Sequence, residues 1–123
     1  MIKLVFCLRR LPHLSREEFQ RRWREEHGLL VQQHAGALKL RRYVQSHTLA
    51  DPRVAAVAQV RGSEGREFDG VAELWWENAE SVLEVLTTEA GQAAAAALLQ
   101  DEAQFIDLPN SPIFFSEEVV LLG

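Results

Sequence analysis

His27 follows Trp23 by four positions, so on a helix the two side chains share one face. An imidazole, with an ordinary pKa of about 6.5, exchanges a proton near neutrality when it sits in a partly dry cleft. Proton removal from an acidic C–H or a phenolic O–H needs such a group and an aromatic wall against which the substrate lies. His27 is therefore the candidate proton-transfer residue and Trp23 the candidate wall. Tyr43 is the candidate polariser, because its phenol could hold a carbonyl or enolate oxygen. His47 shares the face of Tyr43 on a β-strand, and with Trp76 and Phe105 it completes the set of possible substrate contacts. A plainer reading stands beside each of these. His27 could be a core histidine bonded to a backbone carbonyl or a carboxylate, Tyr43 a packing residue with its hydroxyl at a rim, and His47 a residue of an exposed strand edge.

Other chemistries lack their patterns. The four histidines, at 13, 27, 34 and 47, form no HxxxH, and a single Cys7 excludes CxxC, so no metal site is expected. No glycine-rich phosphate loop and no serine nucleophile elbow is present, and no cofactor is expected. Cys7 lies mid-strand, where a buried thiol is inert. His34, near a helix end, suits capping or solvation.

The elements that must position these residues are legible in the pattern. Ile2 to Arg9 is a strand ended by the loop at Pro12. Ser15 and Glu18 form a capping box that starts a helix from Arg16 to about Gln33. On that helix Phe19, Trp23, His27, Leu30 and His34 recur at spacings of three or four and make one sheet-facing stripe. Gly36 punctuates its end, and Leu40 to His47 is a second strand. Between Thr48 and Asp69 lies a long excursion, with a helical turn or two over Val54 to Val60. Asp69-Gly70 signals a turn before a third strand, Val71 to Glu77, whose Trp75 and Trp76 face opposite ways. Helices from Ala79 to about Leu86 and from Glu89 to about Phe105 follow, capped by Asn78 and Thr88. A final strand runs from Ile113 to Leu122.

Strand, helix, strand, strand, helix, strand is the ferredoxin-like α+β order, a four-stranded antiparallel sheet with its helices on one face. The chain, residues 1–123, is expected to make one such domain. Several strands nevertheless carry apolar side chains on both faces, as Phe6 does against Val5 and Cys7. The uncovered face predicts a homodimer, packed sheet against sheet or with the last strand reaching across, and one of Trp75 and Trp76 in the interface. Glu73, within a strand, needs a partner such as Arg42 or a histidine.

A chain of 123 residues that is 47% apolar and 25% charged can bury a core without staples. Its net charge of −5 disfavours nucleic acid and anionic membranes as partners. The arginine pairs Arg9-Arg10, Arg21-Arg22 and Arg41-Arg42 carry no RNA-binding signature around them. Ile2 to Leu8 is too short for a signal-peptide core or a membrane span, and a lone cysteine suits a reducing cytoplasm. The expected partner is a small hydrophobic or aromatic molecule.

The segments MIKLVFCLRR, LSREEFQRRWREEHGLLV, RRYVQSH, FDGVAELWWEN and FIDLPNSPIFFSEEVVLL together resemble the EthD family. The most specific piece is the aromatic-x-x-x-His pair Trp23 and His27, supported by Asp69-Gly70 and Glu73. Leu29 departs from the family pattern, which commonly has proline there. The resemblance implies a dimeric α+β barrel, in which two ferredoxin-like units join their sheets. It also implies a link to the degradation of ether compounds and a loose grouping with oxidoreductases. Related barrels include cofactor-free monooxygenases, polyketide cyclases, isomerases and dehydratases, which share a small cleft and proton transfer on an activated organic substrate. A non-catalytic, ligand-binding accessory protein of an oxidative pathway is the alternative on the same fold.

Overall fold

Alternation along β1 (Ile2–Leu8) sends Leu4, Phe6 and Leu8 to the side that the helices cover and Lys3, Val5 and Cys7 to the other. The computed structural model describes residues 1–123. Helix α1 follows as three continuous segments: Arg16–Arg22, a π-helical Trp23–His27, and Gly28–His34. Its start is the capping box. The Glu18 amide donates to Ser15 Oγ at 3.0 Å and the Ser15 amide to Glu18 Oε1 at 3.1 Å, an arrangement worth about 1 kcal/mol.

Strand β2 (Arg42–His47) leads into an excursion holding a short 3₁₀ turn, Pro52–Val54, and α2 (Ala56–Gln59). Then come β3 (Gly70–Trp76), α3 (Ala79–Thr87), α4 (Glu89–Glu102), a 3₁₀ turn at Leu108–Asn110 and β4 (Ile113–Glu117). The sheet order is β2-β3-β1-β4 with every neighbouring pair antiparallel, which is the ferredoxin-like arrangement. Register aligns whole rows of side chains. Tyr43, Leu74, Leu4 and Phe115 form one row across the helix-facing side, and Gln45, Ala72, Phe6 and Ile113 the next.

The stripe on α1 packs against those rows. Phe19 and Trp23 are almost fully buried and join Phe6, Leu8, Ala72, Phe105 and Ile106 in one core cluster. Val31, Leu38, Val85, Ala94 and Leu98 make a second cluster between α1, α3 and α4. Asp69 fastens the end of β1 to the start of α1. Its carboxylate accepts from the Arg10 amide at 2.8 Å, from Arg16 Nε at 3.0 Å and from the Arg10 guanidinium. Burial opposes its ionisation, but these donors prevail and hold its pKa below the usual carboxylate range.

Some expected boundaries move. The last strand stops at Glu117, because beyond it the backbone leaves the β1 ladder, and Val119, Val120, Leu121 and Leu122 lie 74–96% exposed. Helix α4 ends at Glu102, with Phe105 in the turn that follows. The turn after α1 takes its left-handed residue at Lys39, φ 56°, rather than at Gly36. Glu73 pairs with Lys3, at 2.7 Å, its neighbour on the open face of the sheet, and not with Arg42 or a histidine. Trp75 lies on that face beside Lys3 and Arg42, while Trp76 lies on the helix side and donates from Nε1 to the Leu38 carbonyl at 2.7 Å.

At Gly70 the Trp23 ring of α1 lies directly against the sheet. A Cβ there would lie 2.8 Å from Trp23 Cη2 and 2.9 Å from the Ser46 carbonyl oxygen. Gly70→Ala is expected to cost about 1–3 kcal/mol by overpacking, read as a lower midpoint in urea unfolding, whereas Gly36→Ala, with open space around it, leaves the midpoint unchanged.

Candidate functional site

A cavity of about 270 Å³ opens between α1, α3, α4 and the sheet, where the two core clusters would otherwise meet. Eighteen of its 20 lining residues are hydrophobic, and the other two are His27 and Glu102. Two ionisable groups thus face an apolar space equal to about nine water volumes at ~30 Å³ each.

His27 sits in the π-helical turn with its side chain 7% exposed. Its Nδ1 is 2.7 Å from Asp101 Oδ2. Asp101 in turn accepts from both terminal nitrogens of Arg22, at 2.7 and 3.2 Å. Arg22 holds the Asp101 pKa below its usual range against burial, so the group is a carboxylate that can only accept. Nδ1 consequently carries the hydrogen and Nε2 the lone pair. Burial pushes the His27 pKa below its ordinary value. Asp101 pulls it up and Arg22 pushes it down, and the net shift is downward. The ring is therefore neutral at pH 7, a base with its orientation set by a carboxylate.

Nε2 stands 4.0 Å from Glu102 Oε2. Burial first, and the adjacent Asp101 charge second, push the Glu102 carboxyl up to about 7. A neutral base and an acid titrating near neutrality thus share one wall. On the sheet side, Tyr43 lines the cavity and its hydroxyl accepts from Gln45 Nε2 at 2.7 Å. Burial pushes its pKa above the usual phenol value, against the hydrogen bonds it receives. The arrangement suits abstraction and return of a proton on a ligand held by apolar contact. No group of three or more His, Cys, Asp or Glu side chains is arranged to hold a metal ion.

The residues singled out from the sequence divide in two. His27, Tyr43, Trp23 and Trp76 are brought together on the cavity wall. His47 and Phe105 are not. The His47 ring lies against Trp23 with centroids 4.5 Å apart, off the cavity wall, and its Nε2 contacts Gln45 Oε1 at 2.9 Å. Phe105 packs behind His27, at 5.3 Å between centroids, with the Arg22 guanidinium over its ring. Each packs against a wall residue, Trp23 or His27, rather than lining the void itself. Asp101, Glu102 and Gln45 were not foreseen. The signal for the carboxylates was their position in the last turn of α4, where negative charge opposes the helix dipole and demands another reason.

Fold and cavity together define a ferredoxin-like α+β protein with a small apolar pocket under its first helix. The EthD domain model matches residues 11–109, and the chain belongs to the EthD family. It is similar in structure to an ethyl tert-butyl ether D (EthD) family protein from Bacillus halodurans C-125, at TM-score 0.64 and 18% identity over 97% of this chain and 99% of that one. An EthD-like protein from Ralstonia eutropha JMP134 gives 0.62 and 18%, over 98% and 95%. An Arabidopsis thaliana protein gives 0.55 and 13%, over 99% of both chains. These likenesses are of fold. No protein of curated function matches the sequence, and no single helix is long and apolar enough to cross a membrane.

Asp101→Asn tests the orientation of the base. With the carboxylate gone, burial and Arg22 both oppose protonation. The His27 titration, followed by imidazole NMR, is expected to move to still lower pH than in the wild type. Loss of a charged hydrogen bond should also cost about 1.5–3 kcal/mol of stability.

Proposed function

We propose that the protein is a cofactor-independent enzyme that moves a proton on a small hydrophobic or aromatic metabolite, with His27 as base and Glu102 as the group that returns the proton. The observation that carries this is the lining of the cavity, whose polar groups are an oriented neutral imidazole, a carboxyl that is half protonated near neutrality and the Tyr43 hydroxyl on an otherwise apolar wall. The ligand C–H bond breaks, its electron pair stays on the ligand, and the hydrogen goes to His27 Nε2. Glu102 supplies a proton to another ligand atom, and the proton on Nε2 passes back to its carboxylate. Isomerisation and dehydration begin in this way, and so does oxygenation when dioxygen is the co-reactant, which is where a grouping with oxidoreductases would arise.

The test is wash-out of α-deuterium from a trial aryl ketone, followed by NMR. His27→Ala is expected to slow it by about 10²–10⁴-fold. The pH dependence is bell-shaped. The rate rises as His27 loses its proton, at a pH below its ordinary value, and falls as Glu102 loses its own near 7. Glu102→Gln, which has no proton to return, is expected to lower the rate and to remove the alkaline limb of what activity remains. Wash-out that survives His27→Ala defeats the proposal. Tight binding of the ketone without any exchange favours the non-catalytic, ligand-sequestering alternative on the same fold.

We also propose that two copies pair through the uncovered sheet face. Support comes from Phe114, half exposed beside Val5 and Glu73 in one row, and from β4, an edge strand with no neighbour on its outer side. In sedimentation the wild type is expected at twice the 13.9 kDa chain mass and Phe114→Glu at the single mass; equal masses for the two remove this pairing.

A further inference from the structure

The hydrogen bonds on the sheet side of the cavity define what the Tyr43 hydroxyl does. Gln45 Nε2 lies 3.0 Å from the Trp23 carbonyl oxygen and 2.7 Å from Tyr43 Oη. A carbonyl only accepts, so the amide nitrogen and not the amide oxygen must face this side. Its two hydrogens are then used, one on the carbonyl and one on the phenol. At its other end the amide presents Oε1 to His47 Nε2 at 2.9 Å and takes the hydrogen there. His47 Nδ1 is left buried with no partner, consistent with an unprotonated nitrogen. The amide is thus locked from both ends, and it can only donate to Tyr43. The phenol oxygen accepts, while its own O–H meets no acceptor in the protein.

The π-helical turn makes room for this lock. The Gly28 amide reaches back to the same Trp23 carbonyl, closing the wider turn. A Cβ at position 28 would lie 3.2 Å from Gln45 Nε2, closer than most real contacts. Glycine there lets the glutamine amide pass beneath the helix to reach the carbonyl.

We infer that Gln45 is a positioning residue that commits the Tyr43 hydroxyl to donating into the cavity, so that the site takes its ligand through an acceptor oxygen: a ketone, aldehyde or ester carbonyl. The inference deepens the proton-transfer reading and rests on it for the use made of the carbonyl. When His27 removes a proton from the carbon beside that carbonyl, the electron pair of the broken C–H bond becomes the C=C bond of an enolate. Negative charge then gathers on the oxygen that Tyr43 holds. A hydrocarbon of the same shape fills the cavity without using the donor.

Tyr43 is the only tyrosine in the chain, so its vibrations assign themselves. The Raman Fermi doublet of the phenol, read without ligand, is expected to be that of an acceptor-only hydroxyl in the wild type. It should lose that character in Gln45→Leu and turn to that of a donor in Gln45→Glu, whose carboxylate accepts the phenol hydrogen. With acetophenone and ethylbenzene as probes, the wild type is expected to prefer the ketone by about five- to tenfold and to shift its carbonyl stretch to lower frequency. Gln45→Leu and Tyr43→Phe lose both effects. A wild-type doublet of donating character overturns the inference, as does a carbonyl shift that persists in a Gln45→Leu protein that melts as the wild type does. Should Gln45→Leu fail to fold, the Gln45→Glu doublet decides alone. Acetophenone that does not bind defeats the ligand class and leaves the doublet to judge Gln45. Preference for the ketone with no α-deuterium wash-out defeats the proton-transfer reading while leaving Gln45 its role.

Discussion

The contact between the Trp23 indole and Gly70 sets the distance between the first helix and the sheet, and the candidate site is built on that distance. A side chain at position 70 would collide with the ring. Because there is none, a large aromatic residue lies 1% exposed directly over β3 and serves several elements at once. Its indole is a wall of the cavity and a stacking surface for His47, and its carbonyl accepts from both Gly28 and Gln45. The π-helical turn that begins at Trp23 ends at His27, so the residue that sets the spacing and the residue that faces the void belong to one local device. Wider turns of this kind are rare and are frequently found at functional sites.

Polarity in this molecule is concentrated where it can be used. The cavity could have been closed by two more aliphatic side chains, as the rest of its wall is. It holds instead an imidazole and a carboxyl, each buried enough to shift in the direction that favours the neutral form. Arg22 and Asp101 keep the imidazole in one tautomer from behind, and Phe105 supports the guanidinium and the ring together. Across the void, a second chain of hydrogen bonds does the same for Tyr43. Two separately oriented groups, an imidazole on the helix and a hydroxyl on the sheet, therefore line one apolar space.

Much of the framework could be read directly in the residues. Ser15 and Glu18 form the capping box that their spacing announces, Asn78 and Thr88 cap the helices they precede, and the stripe Phe19, Trp23 and His27 meets the sheet. These features were legible because each depends on residues a few positions apart. The terminal apolar run Val119 to Leu122 misled, since its composition favours a strand while pairing depends on where β1 begins, and Glu117 already lies opposite Ile2. His47 and Phe105 misled for a related reason. Facing the right side of an element does not place a side chain in the front row of a cavity.

The sequence by itself determined the order of elements, which side chains share a strand face, and that the helical stripe holding His27 would meet the sheet. Those properties follow from periodicity, capping and turn chemistry, which act over one or two turns of chain. Only the tertiary structure decided that Asp101, 74 residues away, would orient His27, that Glu102 would stand opposite Nε2, and that Gln45 would reach under a glycine to the Trp23 carbonyl. Such contacts depend on the angle and separation at which helices settle on a sheet. That separation is set by packing volume summed over the whole core, which no local pattern records.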